Sequence, residues 1–484
     1  MVMNLRREIE KIPNIYLISS LAKEKGIKVY LIGGFLRDIF LQEKKEFLDF
    51  DFTVEKDTLG FLKSLVKITK AKMITLDEER KSWRVVIKKE GETGGKEKVY
   101  TFDFTEFRGK DLKEDIFKRD FTVNTLCVEL NRLPKIEVID YFGAREDIRR
   151  RRLRVLNEEV LIADPLRILR AFTFLAKYGF RLQRETENLI KKYCQLLKGV
   201  SGERINEELF KILATPTSYK VIRKMSELFV IDAIIPHISS MRDVSQGAYH
   251  HLDVWQHSLE TLLRFEIIYK RRLVKNKDIV DYLNEELAKN RRRIQILKLA
   301  CLLHDVGKPF AKREKEKKTI FHQHEKIGRD LSEEISSRLK LSFREREVLK
   351  QLIFWHLRPG YLADMDKPSP RAIYRFFRDT GPEGVGVILL SLADWRATRG
   401  PLTDEKKRKR QERRMFKLIE QHFAEKKKKP LPRLVDGYGI MKRFNLHPSP
   451  LIGKILSKIK EEQSLGKIST PEEAYQLAEK IIAS

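Results

Sequence analysis

The stretch "GGFLRDIFLQEKKEFLDFDFTV", residues 33–54, constrains the fold more than any other part of the sequence. It follows the apolar run "KVYLI", so a buried strand leads into a glycine pair, a short amphipathic helix and a second strand. Side chains at i and i+2 of a strand point to the same face, so Asp49 and Asp51 project together. In "VYTFDFTEF", Asp103 alternates with aromatic residues and is a candidate third carboxylate. The pattern predicts a sheet with one acidic and one apolar face.

The paired carboxylates predict a catalytic metal site. Two parallel carboxylates repel each other unless a cation lies between them, and oxygen ligands suit Mg²⁺ that is shared with substrate phosphates. Gly33 and Gly34 precede the helix, where backbone N–H groups can receive phosphates. Arg37, one turn later, can add a bidentate contact. We therefore predict that Asp49 and Asp51 hold Mg²⁺ beside a phosphate-binding turn.

Composition narrows the class of partner. The chain has 484 residues, which suggests roughly three or four domains. Its 99 Lys and Arg residues against 70 Asp and Glu residues give a net charge of +29, which favours RNA or DNA as partner. Cys127, Cys194 and Cys301 lie in apolar segments without metal-ligand spacing, as expected in a reducing compartment. No signal-peptide core or bilayer-length apolar run is evident, so we predict a cytoplasmic protein without membrane association.

The secondary-structure pattern changes near residue 140. Strands, including a hairpin turning at Gly94 and Gly95, alternate with helices before it, and helical periodicity dominates after it. The run from Asp404 to Arg433 has the charge density of a long solvated helix followed by a linker. We predict an α+β protein with four parts: a mixed-sheet head over residues 1–140, a helical neck over 141–240, a histidine-rich helical domain over 241–403, and a basic helix, linker and helical module over 404–484.

The segment "ADPLRILRAFTF" predicts a base-selecting site on a helix. Asp164 and Pro165 suit the N-cap and N1 positions, and Asp164, Arg167 and Arg170 fall at steps of three on one face. Cytosine and adenine each present an amino group, which donates, beside a ring nitrogen, which accepts, so a carboxylate next to a guanidinium complements both bases. Guanine and uracil present the reverse order and would leave these groups unpaired. The alternative interpretation is a helix cap with a surface ion pair.

Several motifs resemble one family. "LIGGFLRD" followed by "LDFDFTV" is similar to the signature of class II nucleotidyltransferases, which include tRNA CCA-adding enzymes and poly(A) polymerases. "KEDIFKRDFTVNTL" resembles their ribose-binding segment, and this implies that Arg119, Asp120 and Asn124 lie near the nucleotide sugar and phosphates. "GERINEELFKIL" resembles an element of their neck. The resemblance implies nucleotidyl transfer to the 3′-hydroxyl of tRNA.

Two departures from the family pattern bear on the product. The family motif is Glu-Asp-x-x-Arg, and here Asp164 and Arg167 match whereas Ala163 replaces the leading Glu. In this chain only the five residues "GKDLK" separate Arg108 from Glu114. Family members that add CCA or poly(A) have a longer loop at this position. A missing loop resembles enzymes that add two cytidines. We predict CC addition from CTP, with a separate A-adding enzyme as partner; full CCA addition with CTP and ATP, and poly(A) synthesis, are the alternatives.

The histidine-rich domain resembles HD-domain phosphohydrolases. Four residues match the metal-ligand tetrad of that family: His257, His304, Asp305 and Asp394. His324 and His356 are two further candidate ligands. Imidazoles with carboxylates suit Mn²⁺ or Ni²⁺ better than Mg²⁺ alone. The domain either hydrolyses phosphomonoesters or 2′,3′-cyclic phosphates or supports RNA, and an HD phosphohydrolase with an RNA-binding head is the remaining alternative. Basic clusters that could contact RNA phosphates lie at residues 149–154, 270–272, 291–293, 406–414 and 426–429.

Overall fold

The computed structural model describes residues 2–43, 46–89, 98–247, 251–315, 318–365, 367–399, 404–429 and 431–483. The chain divides into two compact units, one comprising residues 1–215 and 224–234, the other comprising residues 216–223 and 235–484. The first unit contains a mixed sheet with helices and the second is mainly helical, which confirms the predicted α+β class. The four-part division stays a prediction.

The first unit is built on a seven-stranded sheet in the order β3-β4-β5-β2-β1-β6-β7. The strands are β1 Val29–Ile32, β2 Asp49–Val54, β3 Lys72–Asp77, β4 Ser82–Lys89, β5 Lys98–Glu106, β6 Cys127–Glu129 and β7 Val138–Ile139. β2 and β5 run parallel, and the other neighbours pair antiparallel. The predicted hairpin is confirmed as β4–β5, while its predicted turn at Gly94 and Gly95 lies outside the described residues.

Aromatic residues give this sheet its buried face. Phe50, Phe52, Phe102 and Phe104 are all buried, and the rings of Phe52 and Phe104 stack with centroids 4.6 Å apart. Because side chains alternate along a strand, burying these rings turns the residues between them toward the other face. Helices that belong with this sheet are α1 Val2–Glu10, α2 Ile15–Glu24, α3 Gly34–Phe40, α4 Thr58–Thr69 and α5 Leu112–Phe117.

The remainder of the first unit is helical and follows the sheet in sequence. Its helices are α6 Ala144–Arg149, α7 Glu159–Ala163, α8 Leu166–Tyr178, α9 Arg184–Tyr193, α10 Gly202–Leu213 and α12 Val230–Ile234, while α11 Ser218–Glu227 crosses the division between the units. A short parallel pair joins β8 Arg152–Leu153 to β9 Arg181–Leu182. Leu169 and Phe172 of α8 and Leu209 of α10 are fully buried in its core.

The predicted start of α8 was wrong by one residue. Pro165 occupies the N-cap with φ −60° and ψ −21°, and Asp164 precedes it in an extended conformation with φ −146° and ψ 90°. A residue before proline is disfavoured in the helical region, so Asp164 stays outside the helix and its side chain does not cap it. Arg167 and Arg170 share the helix, and Asp164 lies just outside it.

The second unit is a helical assembly around two strongly apolar helices. Its helices are α13 Ile238–Met241, α14 Val254–Arg271, α15 Lys277–Asn284, α16 Arg293–Leu303, α17 Lys308–Ala311, α18 His324–Arg338, α19 Phe343–Trp355, α20 Arg358–Asp364, α21 Pro370–Thr380, α22 Gly384–Ala397, α23 Glu405–Lys426, α24 Gly437–Phe444, α25 Pro450–Ser464 and α26 Pro471–Ile482. Two hairpins pair β10 Glu286–Ala288 with β11 Arg291–Arg292 and β12 Lys312–Lys315 with β13 Lys318–Phe321. Helices α16 and α22 are buried on nearly all sides, as their uniform apolarity requires. No helix in the described part of the chain is both long and apolar enough to cross a membrane.

Two expectations about charged segments need correction. The helix over Glu405–Lys426 forms, but it is not solvated all round, because Met415, Phe416 and Ile419 are buried. In the basic cluster at 291–293, Arg293 is not available to RNA, since it is buried and ion-paired with Glu285 and Glu383, whereas Arg292 is exposed. Charge runs alone do not reveal which members pair inside the protein.

Close packing at Gly307 predicts a stability effect. A Cβ atom there would lie 2.2 Å from the carbonyl oxygen of His324 and 2.6 Å from the backbone nitrogen of Gly328, both on α18. We expect Gly307→Ala to destabilise the second unit by about 1–3 kcal/mol through overpacking. Gly453→Ala, inside α25 with no atom outside its helix within 4 Å, should be neutral or stabilising. Thermal unfolding followed by circular dichroism measures both, and equal effects would contradict the prediction.

Candidate active sites

The glycine turn lies directly against one of the predicted metal ligands. Antiparallel pairing of β1 and β2 places Ile32 opposite Asp51, so the chain leaves β1 beside this carboxylate. Gly33 adopts φ 87°, and a Cβ at this position would lie 3.2 Å from Asp51 Oδ2. Both the positive φ and the close approach favour glycine. The structure thus brings the predicted phosphate-binding turn and the predicted metal site together.

Asp49 and Asp51 project from the same face of β2, and both are exposed. Asp49 accepts a hydrogen bond from Thr101 Oγ1 of β5, and the parallel register places Asp103 beside Asp51. No basic side chain in the described ranges forms an ion pair with Asp49 or Asp51. Asp103 differs, because Arg84 donates to its two oxygens from Nε and Nη2, each at 2.7 Å. Two carboxylates therefore remain available to a cation, and the candidate third is neutralised by arginine.

The electrostatic environment of Asp51 fits a cation ligand. The Asp51 side chain opens to solvent on one side, but the protein atoms around it desolvate the carboxyl and raise its pKa. Asp103 and Asp49 raise this pKa further, whereas Arg119 lowers it. A bound cation would stabilise the ionised form, and carboxylate oxygens are ligands that Mg²⁺ accepts. The residues present therefore fit the predicted divalent ion.

Sequence reasoning missed a buried acid on this same face of the sheet. Asp115 of α5 is fully buried and accepts hydrogen bonds from Thr53 Oγ1 at 3.0 Å and from the backbone N–H of Arg108 at 3.1 Å. Its carboxylate also lies 3.6 Å from Arg119 Nη2 and 3.3 Å from Arg108 Nε. The only hint of this contact in the sequence is the spacing of four residues between Asp115 and Arg119, which allows an ion pair. Asp115 holds two arginines against the strand that carries the aspartate pair.

Arg37 is buried and acts within the protein. Its Nε donates to Asp38 Oδ1 at 2.7 Å, Nη1 donates to Asn124 Oδ1 at 2.7 Å, and Nη2 donates to the Tyr178 hydroxyl at 3.0 Å. Its guanidinium also lies 4.9 Å from the ring centroid of Phe174. These contacts connect α3 to α8 and favour a positioning role. The phosphate contact expected from Arg37 stays a prediction.

Asp120 joins the sheet region to α8. It accepts from Asn124 Nδ2 at 2.8 Å and from the Phe121 N–H at 2.8 Å, and Arg170 Nη2 lies 3.0 Å from its other oxygen. Burial opposes ionisation, but Arg170 and Asn124 outweigh it and lower the pKa of Asp120. Asp120 and Asn124, which the family resemblance assigns to the nucleotide sugar, are therefore buried members of a network that leads to Arg37.

The proposed base-reading pair has a third member. Arg204 of α10 donates from Nη2 to both oxygens of Asp164, at 3.0 and 3.1 Å, and this contact fixes the plane of the carboxylate. Arg167 donates from Nη1 to the Val160 carbonyl at 3.1 Å, while its buried Nε has no hydrogen-bond partner. Ala163, which replaces the family Glu, is exposed at the end of α7. Arg204 stands in the quoted "GERINEELFKIL", but its pairing with a residue 40 positions away was not predictable from spacing.

The second unit contains a buried cluster of histidines and acids. His257 of α14, His304 at the end of α16 and Asp394 of α22 offer ligand atoms that all lie within 4.8 Å of one another. His257 Nε2 is 2.9 Å from Asp394 Oδ1, and the buried His304 Nε2 has no hydrogen-bond partner. The structure therefore brings these three predicted ligands to one point.

A second triad adjoins the first. Asp305, His324 and His356 also offer ligand atoms within 4.8 Å of one another. Asp305 lies between the triads: its Oδ2 is 3.2 Å from His304 Nε2, and its Oδ1 is 3.3 Å from His324 Nε2. The two histidines named only as further candidates thus complete a second set of ligands.

Asp305 and His356 are held in the protonation states that bind metals, whereas the neighbouring Asp305 raises the pKa of His304 against the effect of burial, so a metal would have to displace a proton there. Burial opposes the charged form of Asp305, yet His304 and Lys308 lower the pKa of this carboxyl well below its usual range. Burial, with His304 and His324, lowers the pKa of His356 to about 3, so its imidazole is neutral near pH 7 and keeps a lone pair. Ionised carboxylates and neutral imidazoles are the forms that ligate metals, and this donor set fits Mn²⁺ or Ni²⁺.

Comparison with known proteins identifies three domains along the chain. The poly(A) polymerase head domain matches residues 29–154, the probable RNA and SrmB-binding site of polymerase A matches 179–241, and the HD domain matches 254–399. An A-adding tRNA nucleotidyltransferase of Deinococcus radiodurans is 30% identical over 455 residues, which cover 92% of this chain and 93% of that protein. The chain belongs to the class II tRNA nucleotidyltransferase family, with an HD domain.

Other members of the tRNA nucleotidyltransferase family support this assignment. A CC-adding tRNA nucleotidyltransferase of Thermus thermophilus is 26% identical, covering 92% of this chain and 91% of that protein. The solved structure of the Thermotoga maritima CCA-adding enzyme with tRNA has the same fold, with a TM-score of 0.64, 21% identity and coverage of 97% and 94%. The relatives differ in the nucleotides they add, so the product of this tRNA nucleotidyltransferase is argued below from its own residues.

The two triads of the HD domain predict two bound ions per chain. In an Asp49→Ala/Asp51→Ala background, which removes the predicted head site, we expect isothermal titration with Mn²⁺ to give a stoichiometry of two. His356→Gln should reduce it to one, because that substitution removes a ligand from the second triad only. His237→Gln, whose imidazole pairs with Glu334 outside the cluster, is the matched control and should leave two. A stoichiometry of one before substitution would contradict the interpretation.

Proposed function

We propose that this tRNA nucleotidyltransferase adds cytidines from CTP to the tRNA 3′ end and leaves the terminal adenosine to a separate A-adding enzyme. The observation that carries this proposal is the short, closed connection over residues 107–111 between β5 and α5. The family resemblance associates a longer loop here with the switch from CTP to ATP. Addition to a tRNA end is consistent with the cytoplasmic location that the sequence predicts.

Hydrogen bonds hold this connection in place. Asp111 caps α5 by accepting from the Glu114 N–H at 2.9 Å, and Glu114 Oε2 accepts from the Lys110 N–H at 2.9 Å. Gly109 packs so tightly that a Cβ would lie 2.4 Å from the Glu114 Cβ. Lys118 Nζ also donates to the Arg108 carbonyl. A connection this short, tied at these points, has little length with which to reshape a nucleotide pocket between two additions, which favours a single nucleotide specificity.

The head residues have complementary tasks in this proposal. The turn at Gly33 and Gly34 receives the triphosphate, and Arg119, next to Asp51, contributes positive charge to it. Asp49 and Asp51 would hold Mg²⁺, which when bound neutralises phosphate charge and favours ionisation of the attacking hydroxyl. The 3′-oxygen of the RNA forms a bond to the α-phosphorus as the bond to pyrophosphate breaks on the opposite side.

The base is selected by polar complementarity in this proposal. Arg204 fixes the carboxylate of Asp164, whose remaining lone pairs can accept from the cytosine amino group. The guanidinium of the half-buried Arg167 supplies a donor for the adjacent ring nitrogen. Uracil presents the reverse order of donor and acceptor, so its binding would leave polar groups unpaired.

A basic groove in the second unit supports tRNA as the substrate. Its cavity of about 1100 Å³ is lined by one acidic residue, Glu425, and by the basic residues Arg378, Lys426, Lys428, Lys429, Arg433 and Lys460. This excess of positive charge suits the phosphate backbone of a folded RNA, which can be recognised by shape without base reading. The Thermotoga maritima relative, solved with tRNA, agrees with this choice of substrate.

The HD cluster favours a second activity, hydrolysis of RNA-terminal phosphomonoesters or 2′,3′-cyclic phosphates. Its six ligand side chains are complete, and Lys308 Nζ lies 2.7 Å from Asp305 Oδ2, where it adds positive charge beside the ligands. Mn²⁺ or Ni²⁺ held there would polarise a phosphoryl oxygen.

A direct assay of the added nucleotides tests the main proposal. We would incubate the enzyme with tRNAs that end before the CCA tail, after one C and after two, supply CTP or ATP singly, and resolve the products by one nucleotide. We expect two and one cytidines to be added to the first two tRNAs and no adenosine to the third. Efficient adenosine addition to the third tRNA would overturn the CC-only proposal. It would indicate either full CCA addition or A addition, the activity named for the Deinococcus radiodurans relative. Long ATP-dependent tails would indicate a poly(A) polymerase.

Variants in the same assay separate chemistry from binding. Asp51→Asn should lose nucleotide addition and retain tRNA binding, because the substitution removes a metal ligand from an exposed face. Asp57→Asn, at the N-cap of α4, is a matched control, since asparagine caps a helix as well as aspartate does. Normal addition by Asp51→Asn would defeat the assignment.

The contact between Arg204 and Asp164 predicts an effect on selectivity. Arg204→Ala should lower the ratio of kcat/KM for CTP to that for UTP by about tenfold, because a carboxylate that can rotate discriminates donor from acceptor less well. Lys211→Ala on the same helix, which removes ion pairs with Glu207 and Glu208, should leave the ratio unchanged. Equal loss of kcat/KM with all four nucleotides would show that Arg204 is only structural.

A further inference from the structure

The polar face of the head sheet carries an arginine-lined cavity, separate from the basic groove of the second unit. It has a volume of about 270 Å³ and is lined by Asp77, Arg80, Ser82, Thr105, Arg108 and Arg119. Of these residues only Arg119 belongs to the predicted nucleotide site. The cavity lies entirely within the first unit.

Strand register fixes the position of this cavity relative to the aspartates. Ser82 of β4 pairs with Thr105 of β5, and their hydroxyl oxygens are 3.1 Å apart. Both residues are two positions along their strands from the ion pair of Arg84 with Asp103. Because same-face residues recur every two positions, the cavity floor lies about 7 Å beyond Asp103 on the same face. It lies on the β4 side of β5, whereas the glycine turn lies on the β1 side of β2.

The charges of the cavity favour an anion. Asp77 lies 3.6 Å from Arg80 and also accepts from its backbone N–H at 3.0 Å. Arg108 and Arg119 share the single carboxylate of Asp115 behind them, and the buried Nε of Arg119 has no hydrogen-bond partner. Three guanidinium groups thus face two carboxylates. An oxyanion would neutralise the excess charge and use the unpartnered donor.

The geometry of the proposed reaction indicates which phosphate this is. In an in-line displacement the attacking oxygen and the leaving pyrophosphate lie on opposite sides of the α-phosphorus. If the glycine turn on the β1 side receives the triphosphate, the RNA 3′-hydroxyl arrives from the β5 side, where the cavity is. We propose that this cavity binds a backbone phosphate of the tRNA 3′ strand through Arg80 and Arg108, with Arg119 between this phosphate and the triphosphate, and so aligns the terminal hydroxyl. This inference rests on the proposed nucleotide addition and extends it to the acceptor strand.

Arg80 offers the cleanest test, because its side chain is 67% exposed and lies outside the predicted catalytic set. We expect Arg80→Ala to raise the KM for tRNA about fivefold, to leave the KM for CTP within about twofold, and to reduce the slope of log affinity against log salt by about one. Arg132→Ala is the matched control: Arg132 is also exposed and paired with an acid three residues earlier, Glu129, near the opposite edge of the sheet. Arg80→Lys should restore most of the affinity.

A second measurement locates the phosphate directly. A short RNA hairpin with a single-stranded 3′ end is titrated with the full chain in the absence of CTP, and the phosphates of its last linkages are replaced one at a time by neutral methylphosphonate. We expect one replacement to weaken binding by wild-type protein and to have no effect on Arg80→Ala. This result would show that Arg80 and that phosphate act as a pair.

The outcomes distinguish the two possible phosphate sources. A higher KM for CTP, or weaker inhibition by pyrophosphate, with an unchanged KM for tRNA would assign the cavity to the nucleotide and overturn the inference. Unchanged constants in all three measurements would show that no phosphate binds there, which also overturns it. If wild-type protein adds no nucleotide to any tRNA, the proposed function fails, while the methylphosphonate titration still decides whether the cavity holds an RNA phosphate.

Discussion

The ion pair between Arg170 and the buried carboxylate of Asp120 determines how the parts of the nucleotidyltransferase site are placed. An ionised acid in the protein interior is costly unless it is paired, so the helix that carries Arg170 cannot move without leaving Asp120 uncompensated. Asn124 continues the contact to Arg37, whose other donors reach Tyr178 at the far end of the same helix. The glycine turn and the proposed base reader are therefore held in one rigid frame.

On the sheet, a parallel pair of strands produces two chemically different kinds of acid. The register of β2 and β5 places Asp49, Asp51 and Asp103 on one face, but only Asp103 has an arginine on the adjacent strand. Arg84 removes one negative charge from the group and leaves two carboxylates next to the glycine turn. This distribution limits the repulsion among three acids and directs the remaining charge toward the site where a triphosphate and a cation would meet.

Much of this site could be predicted from sequence because its determinants are local. A two-residue period placed Asp49 and Asp51 on one face, and the quoted motifs identified the glycine turn and the HD histidines. The start of α8 failed at Asp164 because proline restricts the residue before it. Contacts between distant segments, such as Arg204 with Asp164, have no local signal, since they depend on how helices pack. For the same reason the cavity around Arg80 could be found only in the folded chain.

The head and the HD domain hold metal-binding groups of different character. Asp49 and Asp51 offer only oxygen atoms on an exposed face, an arrangement that binds Mg²⁺ weakly and gains affinity when substrate phosphates complete the ligand set. The HD triads are buried and rich in imidazole, and Asp305 contributes one oxygen to each side. Imidazole-rich donor sets suit transition metals better than Mg²⁺. Under the proposed function, ligand type and burial, rather than separate metal supplies, would direct each ion to its site.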